Sequence, residues 1–317
     1  MKKSFQKSLI AASVGAVMFA AAGTASANSL LFPYFNTNTL AGAQSVLSIA
    51  SNANAAPLES LHYVYNYGTA CTHFDGFGSM TPNDLLQHSV ASVPAGGFGK
   101  AVGSDASTPF YFPLNAPGLN FGFMVVSSKT STAADVITGD MAIIDPSTGL
   151  VVSYAGISNR LATNGPAIPN EGNYAAITDS NFNLTTYSTT LVDTSWFTLV
   201  IGDMSPPINA GTAWLGSASL SNNNFVFDND ERPLSGNVAV RITCSQTLFP
   251  ANFANAAQAA AVGVNGGMIH MTSSGYTTPP GGGTATGLVM SKIQTVKAPA
   301  GPTFAGKTFL HREPVAQ

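Results

Sequence analysis

Apolar side chains recur at every second position along several short stretches of the chain, the repeat of a strand with one buried face. Leu61, Tyr63, Tyr65 and Tyr67 fall on one side of such a stretch, and His62, Val64 and Asn66 on the other. Val238, Val240, Ile242 and Cys244 alternate with Asn237, Ala239, Arg241 and Thr243. Phe121, Phe123 and Val125 follow the same rule, as do Leu47 and Ile49 in a shorter run. Residues 196–201 (WFTLVI) are apolar on both faces, which predicts a central strand covered on both sides.

One hairpin is well signalled. Residues 141–144 lead into Asp145-Pro146-Ser147-Thr148-Gly149 and out through 150–154. Pro146 pre-sets φ for a type I turn, and Gly149 can take the left-handed position that closes it. Further strands are expected at 110–112, 184–190, 213–218, 224–227, 268–271 and 287–296. Helical signals are few. Thr81-Pro82-Asn83-Asp84 offers an N-cap, a proline at N1 and an acid at N3, which predicts a short helix through His88. Residues 252–262 are Ala-rich and predict a second helix, with Gly263 as its stop.

These elements predict a mainly β protein, an antiparallel β-sandwich built as one large or two packed modules, with one or two short helices. The Gly/Pro/Asn-rich stretches 115–118, 159–173 and 278–283 read as loops. The body is assigned to 28–297, with a possible subdivision near 159–173, and the patternless tail 298–317 is expected to be extended or mobile.

The first 27 residues change the picture. Lys2, Lys3 and Lys7 precede an apolar stretch, LIAASVGAVMFAAA, which breaks at Gly23 and ends in Ala25-Ser26-Ala27. A basic start, a short apolar core and a small-x-small site are the parts of a secretory signal peptide, here with a bacterial look. Cleavage is expected after Ala27, placing the protein outside the cytoplasm: secreted, at the cell surface or in the periplasm. Losing three lysines moves the formal charge from −3 to about −6. That balance argues against nucleic acid as a partner, because such binding needs clustered Lys and Arg. Charged residues make up 9% of the chain, against about 25% in ordinary soluble domains. Weak mutual repulsion between copies makes self-association cheaper. No later apolar run is long enough for a helical membrane span.

Cys71 and Cys244 are the two cysteines. An even, sparse pair in an oxidising compartment predicts one disulfide. That bond would tie the two halves together and favours a single domain over two separate modules.

Candidate chemistry is sparse. Gly301-Pro302-Thr303-Phe304-Ala305-Gly306-Lys307-Thr308 fits the phosphate-loop pattern. It lacks the preceding strand and the following helix whose amides would hold phosphate, so nucleotide is not expected as a ligand. His73 and Asp75 stand two residues apart beside Cys71 and would point the same way on a strand, an arrangement able to orient a catalytic or ligand-binding imidazole. The Tyr63, Tyr65 and Tyr67 stripe could stack on apolar sugar faces; packing against a second sheet is the plainer reading. Asp228, Asp230 and Glu231 gather hard oxygen donors, so calcium is the one metal to consider, although EF-hand spacing is absent and Arg232 adjoins them. No other cofactor is expected. The resulting expectation is an exported, non-enzymatic structural or adhesive β-protein, with itself, another surface component or a glycan as partner. The alternative is a carbohydrate-binding or carbohydrate-active protein using the aromatic face.

Overall fold

In a computed structural model, residues 26–38, 43–68, 71–90, 99–100, 111–112, 119–130, 136–145, 150–158, 172–204, 214–277, 279, 282–297 and 307–312 are described. The chain is mostly antiparallel β, as the alternation predicts. Its first part supplies β1 (Ser26–Ala27), β2 (Ser29–Asn38), β3 (Gln44–Ser51), β4 (Glu59–Tyr67), β5 (Thr72–Met80), β6 (Leu85–Val90), β7 (Gly99–Lys100), β8 (Tyr111–Phe112), β9 (Leu119–Ser128), β10 (Ile137–Asp145), β11 (Leu150–Ala155) and β12 (Ile157–Ser158). Its second part supplies β13 (Asn181–Thr186), β14 (Val192–Asp203), β15 (Ser217–Ser221), β16 (Val226–Asp228), β17 (Ala239–Thr243), β18 (Ser245–Leu248), the helices α1 (Pro250–Phe253) and α2 (Ala256–Asn265), then β19 (Gly267–Thr277), β20 (Thr284–Val296) and β21 (Lys307–Arg312).

Among the described residues, three main sheets result. The largest has nine strands in the order β18-β14-β20-β21-β11-β10-β3-β6, with β1 added beside β10. A five-stranded sheet runs β12-β2-β9-β4-β5, and another runs β13-β19-β15-β17 with β16 beside β19. Strand β14 lies between two layers. Phe197 meets Tyr34 and Phe121 of the β2-β9 sheet at 4.9 and 5.9 Å between ring centres, while Trp196, the next residue, meets Phe253 of α1 at 5.4 Å. Successive residues of a strand point to opposite faces, so a strand covered on both must be apolar on both.

The 59–67 alternation gives a different outcome. Strand β4 pairs with β5 on one edge and β9 on the other, and both of its faces are buried. Asn66 and His62 are therefore core residues rather than a solvent face. By contrast, β3 keeps strict alternation, with Ser45, Leu47, Ile49 and Ser51 inward. The expected hairpin forms as β10 against β11, from Met141↔Tyr154 to Asp145↔Leu150; residues 146–149 lie outside the described set.

Two helix expectations need correction. Residues 81–84 form a turn, and from Leu85 the chain is strand β6, paired with β3 from Leu85↔Ala50 to Val90↔Ser45. Asn83 sits at φ 60°, and the Asp84 carboxylate accepts from the Thr81 N–H at 3.1 Å, so the acid closes a turn instead of capping a helix. The 252–262 helix is broken. Ala254 is extended, and Asn255 restarts the helix through a capping box: its side chain accepts from Gln258 N at 3.0 Å, and the Gln258 side chain accepts from Asn255 N at 2.8 Å. The stop is Gly266 at φ 82°, not Gly263.

The tail also takes part in the fold. Strand β21 pairs antiparallel with β20 from Ser291↔Arg312 to Val296↔Lys307, and parallel with β11 at Leu150↔Thr308. It links the strands of the second part to those of the first within one continuous sheet.

Candidate functional site

The predicted disulfide is present: Cys71 and Cys244 are bonded, with their Cα atoms 6.0 Å apart. Cys244 occupies the single residue between β17 and β18. Its N–H donates to Gly216 O at 2.7 Å, just before β15, and its carbonyl accepts from Val200 of β14 at 2.8 Å. One residue thus carries the chain from one sheet to another, and the bond anchors it to the β4–β5 turn of the third.

The tyrosine stripe is buried. Tyr63, Tyr65 and Tyr67 are 1%, 0% and 5% exposed, and Tyr65 sits edge-on to Phe35. Stacking on a sugar needs an open ring face. These rings have none, so the carbohydrate alternative loses the face it was built on. Burial pushes the Tyr63 and Tyr65 phenols above their ordinary range. His73 lies on β5 with its Nδ1 3.3 Å from Asn66 Oδ1. Asp75 pairs with Val64 at the backbone, and its side chain lies outside the described set.

In the acidic loop, Asp228 Oδ1 accepts from the N–H groups of Asp230 at 3.0 Å and Arg232 at 2.9 Å. Asp230 meets Arg232 at 3.5 Å, and Glu231 stands at φ 60°. Asp228 shapes the turn, and Arg232 offsets its neighbour's charge. Among the described residues no three His, Cys, Asp or Glu side chains are grouped so as to hold a metal ion. At the other candidate motif, Lys307 and Thr308 open strand β21, where phosphate cradling would require a helix N-terminus.

What the sequence reading missed lies in the second part of the chain. Tyr187, directly after β13, is 56% exposed, and Phe249, directly before α1, is 53% exposed. Between them is a hollow of about 330 Å³ whose wall includes Thr189, Asp193, Thr194 and Ser195. A second, more open hollow of about 740 Å³ adjoins it, sharing Thr186 and Tyr187 and reaching Asp228 and Glu231. Tyr187 is therefore the ridge between two concavities. The Lys292 ammonium lies 6.0 Å from its ring centre and donates to Thr185 Oγ1 at 2.6 Å, which steadies the ring from beneath. Leu191, Val264 and Val296 are also exposed. Val296 pairs with Val192, and Val192 and Gly263, the chain neighbours of Leu191 and Val264, line the smaller hollow. The only sequence signal was a lone tyrosine inside the hydroxyl-rich run Thr185-Thr186-Tyr187-Ser188-Thr189-Thr190.

No protein-family model matches the chain, and no curated relative matches it. Among the described residues no helix is long and apolar enough to cross a membrane.

Proposed function

We propose that the protein is an exported, non-enzymatic β-protein of the bacterial cell surface or periplasm, and that it works by adhesion. The observation that carries this reading is the pair of exposed rings, Tyr187 and Phe249, that line one hollow, with Tyr187 also lining a second. Scattered single apolar side chains are ordinary on a surface; two exposed rings that share a concavity support reading it as a binding face. The disulfide supports the export half of the proposal, since such bonds persist in oxidising compartments.

The test is retention on envelope prepared from the protein's own cell. The purified mature chain should sediment with that envelope, and a Tyr187→Ser/Phe249→Ser variant should remain in the supernatant with its melting temperature unchanged. Retention equal to wild type in that variant would reject this face as the adhesive one.

A further inference from the structure

The chain enters the fold before the bond at which cleavage is expected. Strand β1, Ser26–Ala27, pairs antiparallel with β10, Ser26 opposite Thr138 and Ala27 opposite Ile137. There it continues a row that β11 leaves. Strand β11 follows β10 as far as Ala155↔Asp140, and Gly156 N–H then donates to Gly139 O at 2.9 Å. The chain next turns away into β12, which joins β2 of another sheet at Ile157↔Leu31. On this side of β10, Thr138 and Ile137 are met by β1, while β3 pairs along the other side. Ile137 is fully buried. Backbone groups of a buried segment need partners, and β1 supplies them. The following residue is tied down as well: Asn28 O accepts from Ser128 N at 2.8 Å, and Asn28 Oδ1 accepts from Val136 N at 3.3 Å. The Ala27–Asn28 bond is therefore a joint between two sheets, with β1 in one and β2 in the other.

We infer that the leader is removed by hydrolysis of the Ala25–Ser26 bond, two residues before the bond expected from the sequence, so that the mature chain begins at Ser26 and keeps β1. This rests on the export half of the reading above. A leader peptidase adds water across one peptide bond, leaving a carboxylate on Ala25 and an amino group on Ser26. Its pocket takes small side chains at the last and third-last leader positions. Gly23-Thr24-Ala25 meets that rule as Ala25-Ser26-Ala27 does. The leader sequence admits both bonds, and the fold distinguishes them. Cutting after Ala27 deletes β1 and strips Thr138 and Ile137 of that partner, and stranded backbone groups in a buried segment are costly. It also places the new ammonium on half-buried Asn28, next to buried Ser29, where a charge loses hydration. Cutting after Ala25 leaves the ladder whole and keeps Asn28 inside the chain.

The test is the intact mass and first residue of the exported protein, purified from its own cell. The chain should start at Ser26. Gly23→Glu spoils only the site that ends at Ala25, so the Ser26 product should vanish. Ala27→Val removes the small residue needed for cutting after position 27 and suits a strand, so the Ser26 product should persist. A wild-type start at Asn28, or loss of processing in Ala27→Val, would overturn the inference and leave export standing. An exported chain that still carries Met1 would overturn the inference and the leader reading together. A second measurement is independent of the peptidase. In chains prepared to begin at Ser26 and at Asn28, amide exchange at residues 137–138 should be about tenfold faster in the shorter one. Equal rates would show that β1 is not part of the folded ladder and would overturn the inference as well.

Discussion

Cys71 and Cys244 are bonded to each other, and both hold the left-handed backbone, at φ 51° and 59°. Non-glycine residues visit that region reluctantly, at roughly 1–2 kcal/mol each. The two turns are nevertheless needed: one closes the β4–β5 connection, and the other moves the chain between sheets. The bridge spans a sequence separation of 173 residues. Chain-entropy reasoning gives such a bridge an upper value of about 5 kcal/mol. Reduction, or Cys71→Ser, should lower the melting temperature by many degrees. Cys244→Gly should lose the bridge too, yet be about 1 kcal/mol more stable than Cys244→Ser, because glycine relieves the left-handed backbone. Thiol counting on the denatured, unreduced protein should find none free; two per chain would contradict the bridge.

Alkaline unfolding should be cooperative. Burial raises the phenol pKa of Tyr34, Tyr63, Tyr65 and Tyr154, in every case by desolvation above all. A phenol raised above its unfolded value, near 10, contributes stability that is fully present below that pH and lost as pH climbs above it. Absorbance at 295 nm and circular dichroism should therefore change together above pH 10. Tyrosinate formation by these four residues in a still-folded protein would refute the assignment of these rings to the core.

Glu59 is fully buried, and its carboxylate organises two loops. Oε1 accepts from Ser128 Oγ at 2.8 Å, Lys129 N at 3.1 Å and Thr130 N at 2.8 Å, and Oε2 accepts from Ala56 N at 3.3 Å. Glu59→Ala strands these donors and should destabilise the fold by about 3 kcal/mol in urea unfolding. Glu59→Gln should lie between that variant and wild type.

Truncation after residue 297 removes β21 and bares the facing edges of β20 and β11. Open edges pair with other chains. The shortened protein should melt lower and form oligomers on size exclusion; a monomer of unchanged stability would show that the strand is dispensable.

Legibility followed the reach of each signal. Alternation such as that of Leu47 and Ile49 is local and read correctly. So was the two-sided apolar run through Trp196 and Phe197, and the cysteine pair followed from counting. The Thr81–Asp84 cap failed because the same residues also suit a turn, and pairing of Leu85–Val90 with β3 decided between them. Asn255 hid inside an Ala-rich run, where its capping box is visible only as a spacing to Gln258. The tail strand is set by partners more than 100 residues away for β11, beyond any local pattern. The tyrosine stripe and Tyr187 show the limit for function. Residue type marks a ring as able to bind, but only the packing around it determines whether its face is open.

The most direct test of an adhesive face around Tyr187 and Phe249 is hydrogen–deuterium exchange of the mature chain, read by mass spectrometry, with and without envelope from its own cell. Exchange should slow across residues 186–195 and 249–264 and stay unchanged in β3, β6 and β10. Protection confined to those three strands, with 186–195 and 249–264 exchanging as in the free protein, would contradict the proposal.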